Sequence, residues 1–327
     1  MIITAFPVGF FAGLFGIGGG LITVPFLFFL FEALGVDKNY LMHLAVGTSF
    51  AIIIPTSMVS VYTHNKHGSV DPSIVKTYGL FVVIGVLLGT TFAAMAKTKI
   101  LVLFFTMVVF FLGTYLLINS NQRSITKNKF RLHFRILFGI ISGFVSAPMG
   151  IGGAVMNVPI LKYFGYPIKK AIGSAATIGF IIALCGATGF WYSGTILNVK
   201  LPMSIGFINV PAFLIFIPIT MSMAKIGANY AHKIDKTKLQ VFFGLFLYVV
   251  GTIFVYRYSG SILNAKLPLS IGFINVPAFL IFIPITMFMA RVGANSAHKI
   301  DKTKLQVFFG IFLYVVGTIF VIRYSGL

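Results

Sequence analysis

Residues 9–25 read GFFAGLFGIGGGLITVP, and residues 143–159 read GFVSAPMGIGGAVMNVP. The two stretches align without a gap at an offset of 134 positions. Each places a glycine cluster near the middle of a longer apolar segment, 2–34 in the first case and 136–166 in the second. Because clustered glycines disfavour continuous helix, we predict that neither segment is one uninterrupted span. The matching pair also predicts that the chain is an internal duplication.

The composition is that of a protein whose solvent is mostly lipid. The 327 residues are 58% hydrophobic and 9% charged, with a mean hydropathy of +1.00, whereas soluble domains carry about 25% charged residues. The apolar stretches have the length of about 20 residues that a helix needs to cross a bilayer. We therefore predict an all-α, polytopic bundle of transmembrane helices. Ordinary spans are expected at 41–62, 74–96, 99–118, 170–190, 204–223, 238–256, 270–289 and 304–322.

A second duplication lies near the C-terminus, where residues 192–257 and 258–323 are identical at 57 of 66 positions. Each copy is predicted to be one helical hairpin. The added copy is either a dispensable duplication, or it blocks the surface through which a homodimer would form and makes the protein inactive. The predicted divisions are a first transmembrane repeat at 1–118, a basic linker at 119–135, a second repeat at 136–257 and the extra hairpin at 258–327.

The charge balance is strongly basic, with 25 Lys and Arg against 5 Asp and Glu. In a soluble protein this excess would indicate nucleic acid as a partner. Here the basic residues alternate with the predicted spans and form no continuous stripe, so we exclude nucleic-acid binding. Their expected partners are the anionic headgroups of membrane lipid.

The same charges distinguish two topologies. If each glycine-broken segment crosses the membrane, the two sides receive 14 and 11 of the 25 basic residues. If each segment dips in and returns to its starting side, the division becomes 18 to 7, which obeys the positive-inside rule. We therefore predict two inverted repeats, each opened by a glycine-broken re-entrant segment. Inverted repeats are typical of secondary transporters that work by alternating access.

The glycine breaks are also the predicted substrate site. Non-helical backbone at membrane depth is tolerated only where protein or a watery cavity satisfies its polar groups. Helices that restart after a break would direct free N–H groups and a positive dipole end into that cavity, which favours an anion. The alternative is that the glycines only allow helices to pack closely. The candidate substrate-binding residues are Gly16, Gly18, Gly19, Gly20, Thr23, Thr48, Ser49, Gly150, Gly152, Gly153, Asn157 and Ser174.

The two motifs, with Ala45-Val-Gly47-Thr48-Ser49 and the loop from Tyr62 to Asp71, resemble the TauE/SafE sulfite exporter family over residues 1 to about 257. The resemblance implies a multi-pass transporter of the plasma or inner membrane, with sulfite or an organosulfur anion as substrate. The second motif departs from the first, since it has Ala154 where the first has Gly20. Unequal contributions from the two halves are therefore one expectation.

We expect a secondary carrier or exporter of a small anion, with a passive anion channel and a non-transporting membrane scaffold as alternatives. The five acidic residues lie at span ends or in loops, and an intramembrane enzyme or proton relay would place one in a span. No catalytic residue, metal site or cofactor is expected, so the protein is predicted not to be an enzyme. His64 and His67 have a spacing that a metal pair can use, but a solvated loop is the interpretation we prefer.

Overall fold

A computed structural model describes residues 2, 5–6, 8–10, 19–118, 130–231, 241, 243–254, 270–271 and 274–275. The chain divides into two compact units, 1–265 and 266–327. Gly16 and Gly18, the predicted span 304–322 and most of the extra hairpin lie outside the described residues.

The described part of the first unit is almost entirely helical. Its elements are α1 (Gly20–Ala33), α2 (Leu41–Lys66), α3 (Pro72–Met95), α4 (Thr98–Ile118), α5 (Leu132–Met149), α6 (Ala154–Tyr163), α7 (Ile168–Ile196), β1 (Ser204–Ile205), β2 (Ile208–Asn209), α8 (Val210–Ala231) and α9 (Phe243–Phe254). Among the described residues, α2, α3, α4, α5 and α7 are long and apolar enough to cross a bilayer. The all-α, polytopic class predicted from the sequence is confirmed.

The predicted span at 204–223 begins six residues late, because 204–209 form a tight turn of two antiparallel strands. Gly206 has a φ of 57°, in the left-handed region that favours glycine. Asn209 then caps α8, since its Oδ1 accepts a hydrogen bond from Ala212 N at 3.0 Å. In the second unit, β3 (Ser270–Ile271) and β4 (Ile274–Asn275) pair with the same register in the duplicated copy.

Helices α3 and α5 are in close contact through glycines. A methyl group on Gly143 would overlap Val82 O, and one on Gly85 would overlap the backbone of Ile140. Small residues allow such close approach of membrane helices. The packing role that we considered as an alternative for the motif glycines therefore fits Gly143, the first residue of the second motif.

Replacing Gly143 by Ala should destabilise the protein by about 1–3 kcal/mol, the usual effect of overpacking a tight contact. Gly79→Ala, on the facing helix, is the matched control, because a methyl there would lie 3.8 Å from its nearest neighbour, Ile178 Cγ1. Both changes raise helix propensity equally, so the difference between them isolates the packing term. Thermal unfolding in detergent measures it, and equal midpoints for the two variants would contradict this account of the helix contact.

Helices α5 and α6 run antiparallel on either side of the second break. The Phe130 and Phe164 rings, at the outer ends of this segment, stack with centroids 4.3 Å apart. Nearer the break, Ser142 Oγ donates to Asn157 Oδ1 at 2.6 Å. The 18 residues of α5 and the 10 of α6 correspond to about 27 and 15 Å of helix. Phe164, directly after α6, thus lies beside Phe130, which precedes α5.

One end of the bundle, which we call the first end, comprises residues 66–77, 130–135 and 162–174. Arg135 joins the starts of α5 and α3, since its Nη1 donates to Thr77 Oγ1 at 2.7 Å. Asp71 joins α3 to α7, since its N–H donates to Ser174 Oγ at 3.0 Å. Basic residues are frequent here: Lys66, Lys76, Arg131, Arg135, Lys162, Lys169 and Lys170.

The opposite end, which we call the second end, comprises residues 34–47, 93–99 and 190–209. Thr98 Oγ1 donates to Asn39 O, which joins the starts of α4 and α2. The Tyr40 and Phe207 rings lie 5.8 Å apart, and Phe207 N donates to Phe190 O at 3.3 Å. The basic residues at this end are Lys38, Lys97, Lys99 and Lys200.

Candidate functional site

Helices α1 and α6 begin at equivalent positions of the two glycine motifs. Their N-caps, Gly19 and Gly153, both have left-handed backbone, with φ values of 77° and 67°. Gly19 O accepts from Thr23 N at 2.8 Å, and Gly153 O accepts from Asn157 N at 2.9 Å. The N–H groups that precede these first bonds have no acceptor within the helix. Each break therefore ends at the positive pole of a helix dipole.

The start of α1 touches the second break. A methyl group on Gly20 would overlap Gly150 O and lie 2.7 Å from Ile151 Cα. Ser49, on α2, donates its hydroxyl to Gly150 O at 2.9 Å. From this contact α1 runs toward the second end and α6 toward the first. The N-termini of two short helices thus meet at one place in the bundle, and they approach it from opposite directions.

Gly20→Ala should prevent correct assembly, because the added methyl meets backbone atoms that cannot rotate away. Gly152→Ala is the matched control from the neighbouring break, where the nearest atom to a methyl would be Ile53 Cγ2 at 3.5 Å. We expect the control to purify as a monodisperse protein in size-exclusion chromatography and Gly20→Ala to aggregate or yield little protein. Equal yield and elution of the two variants would contradict the observed approach of the breaks.

A buried polar cluster lies beside the second break. Asn157 is fully buried, and its Oδ1 accepts hydrogen bonds from Tyr78 OH at 2.7 Å and from Ser142 Oγ at 2.6 Å. Among the described residues, Asn157 Nδ2 and the buried Ser146 Oγ have no hydrogen-bond partner. A buried polar group left without a partner costs about 1–3 kcal/mol. Such groups are few in native proteins and call for an explanation.

Sequence reasoning found Asn157 but missed three members of this cluster. Ser142 and Ser146 are four residues apart on α5, so they share one helix face, and that spacing was the signal available. Ser146 also lies inside the second motif, where the first motif has Ala12. Tyr78 gave no signal beyond being a polar aromatic residue in an apolar span, because its partner is 79 positions away.

The other predicted hydroxyls lie elsewhere or are already bonded. Thr23 Oγ1 donates to Gly19 O at 3.0 Å. Thr48 Oγ1 accepts from Asn209 N at 2.9 Å at the second end, and Ser174 Oγ accepts from Asp71 N at the first end. Of the predicted polar residues, Ser49 and Asn157 are therefore the ones that the fold brings to the second break.

Thr48 and Ser174 hold two turns of the same kind at opposite ends of the bundle. In turn 68–71, Gly68 has a φ of 63°, and in turn 206–209 the corresponding Gly206 has a φ of 57°. Each turn ends in a residue, Asp71 or Asn209, whose side chain caps the next helix. Gly173 packs on Ser69 O and Gly47 packs on Phe207 O, with no space for a methyl at either glycine. Each half of the chain thus holds a turn of the other half.

No metal site can be assigned. Within the described ranges, no three His, Cys, Asp or Glu side chains come together.

Comparison with known proteins identifies the family. A profile of the sulfite exporter TauE/SafE family matches residues 1–254. The chain belongs to that family. It is similar to a probable membrane transporter protein of Haemophilus influenzae, 34% identical over 243 residues that cover 74% of this chain and 92% of the relative.

A probable membrane transporter protein of Methanocaldococcus jannaschii is 29% identical over 253 residues, which cover 77% of this chain and 92% of the relative. No solved structure matches the chain. This member of the TauE/SafE family is therefore a multi-pass membrane protein of a transporter family, as the motifs predicted.

Proposed function

We propose that this member of the TauE/SafE family is a secondary carrier or exporter of a small anion, sulfite or an organosulfur anion, and that it performs no catalysis. The observation that carries the proposal is the meeting of two helix N-termini at the paired glycine breaks. Unpaired N–H groups and the positive dipole end make a helix N-terminus a favourable place for an anion. The family name indicates the substrate, since the family is described as sulfite exporters.

We further propose that the two halves are inverted repeats that work by alternating access around the breaks. The reciprocal turns at Ser174 and Thr48 support this arrangement, because they give the two ends of the bundle equivalent contacts. The stacking of Phe130 on Phe164 supports a dip that returns to its starting side. Inverted repeats are typical of secondary transporters that work by alternating access.

A carrier is favoured over an open channel by the burial of the site. Asn157 and Ser146 are both 0% exposed. Ile182 Cδ1 occupies the position beside Gly153 that a methyl group would take. A conformational change is therefore needed before a solute reaches the break, which predicts saturable transport at rates well below those of a channel.

The decisive variant is Gly152→Leu. A Cβ at Gly152 makes only ordinary contacts, with Ile53 Cγ2 at 3.5 Å and Gly179 O at 3.7 Å, so a leucine there would fill space at the break without displacing backbone at its Cβ. We expect this variant to insert and purify normally but to lose transport of labelled sulfite, sulfonates or thiosulfate in proteoliposomes. Gly152→Ala is the control and should retain transport.

Two results would overturn the proposal. Full transport by Gly152→Leu would show that the substrate does not bind at the glycine break. Single-channel currents carried by the same anions, without saturation, would establish the passive channel instead of a carrier. Gly18→Leu tests the corresponding position of the first motif in the same assay.

A further inference from the structure

Two buried donors converge beside the second break. If a methyl group were built on Gly153, it would lie 2.9 Å from Asn157 Nδ2 and 3.4 Å from Ser146 Oγ. Both side chains are fully buried, and neither atom has a hydrogen-bond partner among the described residues. Gly153 has left-handed backbone and no side chain, so no Cβ of its own lies between Asn157 Nδ2 and Ser146 Oγ.

The amide of Asn157 is held in one orientation. Tyr78 OH and Ser142 Oγ both donate to Asn157 Oδ1, so the amide oxygen serves as the acceptor of both hydrogen bonds. The NH2 group therefore faces Gly153 and is available as a donor. Tyr78 comes from α3 and Ser142 from α5, so two helices fix the direction of this one donor.

The start of α6 lies at the same place. Gly153 O accepts from Met156 N and Asn157 N, so the N–H groups of Ala154 and Val155 precede the first bond of the helix. Such N–H groups have no acceptor within the helix and carry its positive dipole end. A side-chain amide, a hydroxyl and a helix N-terminus are thus brought to one small volume.

We propose that Asn157 Nδ2, Ser146 Oγ and the first turn of α6 form the primary binding site for a singly charged oxyanion, with Tyr78 and Ser142 as positioning residues. The inference rests on the proposed function and specifies the residues that would carry it. It places this site in the second half of the chain. The corresponding positions of the first motif are Thr23, whose hydroxyl is bonded to Gly19 O, and Ala12.

The charge of the ligand follows from the chemistry of the donors. An amide, a hydroxyl and backbone N–H groups are all uncharged. The cost of taking an ion out of water rises steeply with its charge, and these donors supply no positive charge to offset it. A monoanion such as methanesulfonate should therefore compete for the site more strongly than the dianion sulfate.

The movement of one side chain would open the site. The terminal methyl of Ile182, on α7, now occupies the space beside Gly153. The end of a flexible side chain can rotate away at low cost, unlike backbone atoms. The structure therefore corresponds to a closed site with its donors already oriented.

The test is equilibrium binding of radiolabelled sulfite to the purified full-length protein in detergent, by a scintillation proximity assay at mildly acidic pH, where the ligand is mainly the monoanion hydrogen sulfite. Asn157→Asp replaces the donor by a carboxylate of the same shape and should abolish binding. Ser146→Ala should weaken binding about tenfold, the usual effect of losing one hydrogen bond to a charged group. Ser146→Thr restores a hydroxyl and should recover most of the affinity.

Thr106→Val is the control for a buried hydroxyl, because Thr106 on α4 donates to Val102 O within its own helix. Its sulfite affinity should equal that of the wild type. Thermal unfolding of each variant verifies that it is folded. If Asn157→Asp does not fold, the pair Ser146→Ala and Ser146→Thr decides the question.

Several outcomes would overturn the inference. Wild-type affinity in folded Ser146→Ala and Asn157→Asp would show that the anion binds elsewhere, while the proposed transport would stand. Competition by sulfate equal to that by methanesulfonate would contradict the preference for a single charge. A wild-type protein that neither binds nor transports any of these anions would instead refute the proposed function itself.

Discussion

The structure depends on hydrogen bonds to the backbone N–H and C=O groups at the places where apolar helices are interrupted. Lipid offers no hydrogen bonds, so non-helical backbone there must find partners within the protein. At the second break, Ser49 Oγ donates to Gly150 O, and Gly20 brings the start of α1 directly onto the same residue. The first motif thus helps to close the second.

The glycines of the motifs serve two distinct purposes. Gly143 lies within α5 and allows the close approach of α3, so its role is packing. Gly150 and Gly153 have positive φ, so their role is to end one helix and begin the next. Glycine at 143 thus allows α3 to come close enough for Tyr78 to donate to Asn157. Glycine at 153 allows α6 to begin beside the same asparagine.

The sequence predicted the class of fold and the interruption between α5 and α6, because both depend on local pattern: apolar length and a glycine cluster. The role of Asn157 in binding stays a prediction. The sequence could not predict the partners of Thr48 and Ser174, which are 161 and 103 positions away along the chain. Ser146 was missed because a single serine in an apolar span usually bonds to its own helix. Its significance lies in the absence of that bond among the described residues.

If both glycine-broken segments are re-entrant, the two halves have opposite orientations in the membrane. Lys38 and Lys170 test this for the second segment, since both are exposed and the chain between them contains three ordinary spans and that segment. Single cysteines at these positions, in a Cys185→Ser background, can be labelled in sealed vesicles with a membrane-impermeant maleimide. We expect Lys38→Cys and Lys170→Cys to react from opposite sides of the membrane. Labelling of both from the same side would contradict this topology.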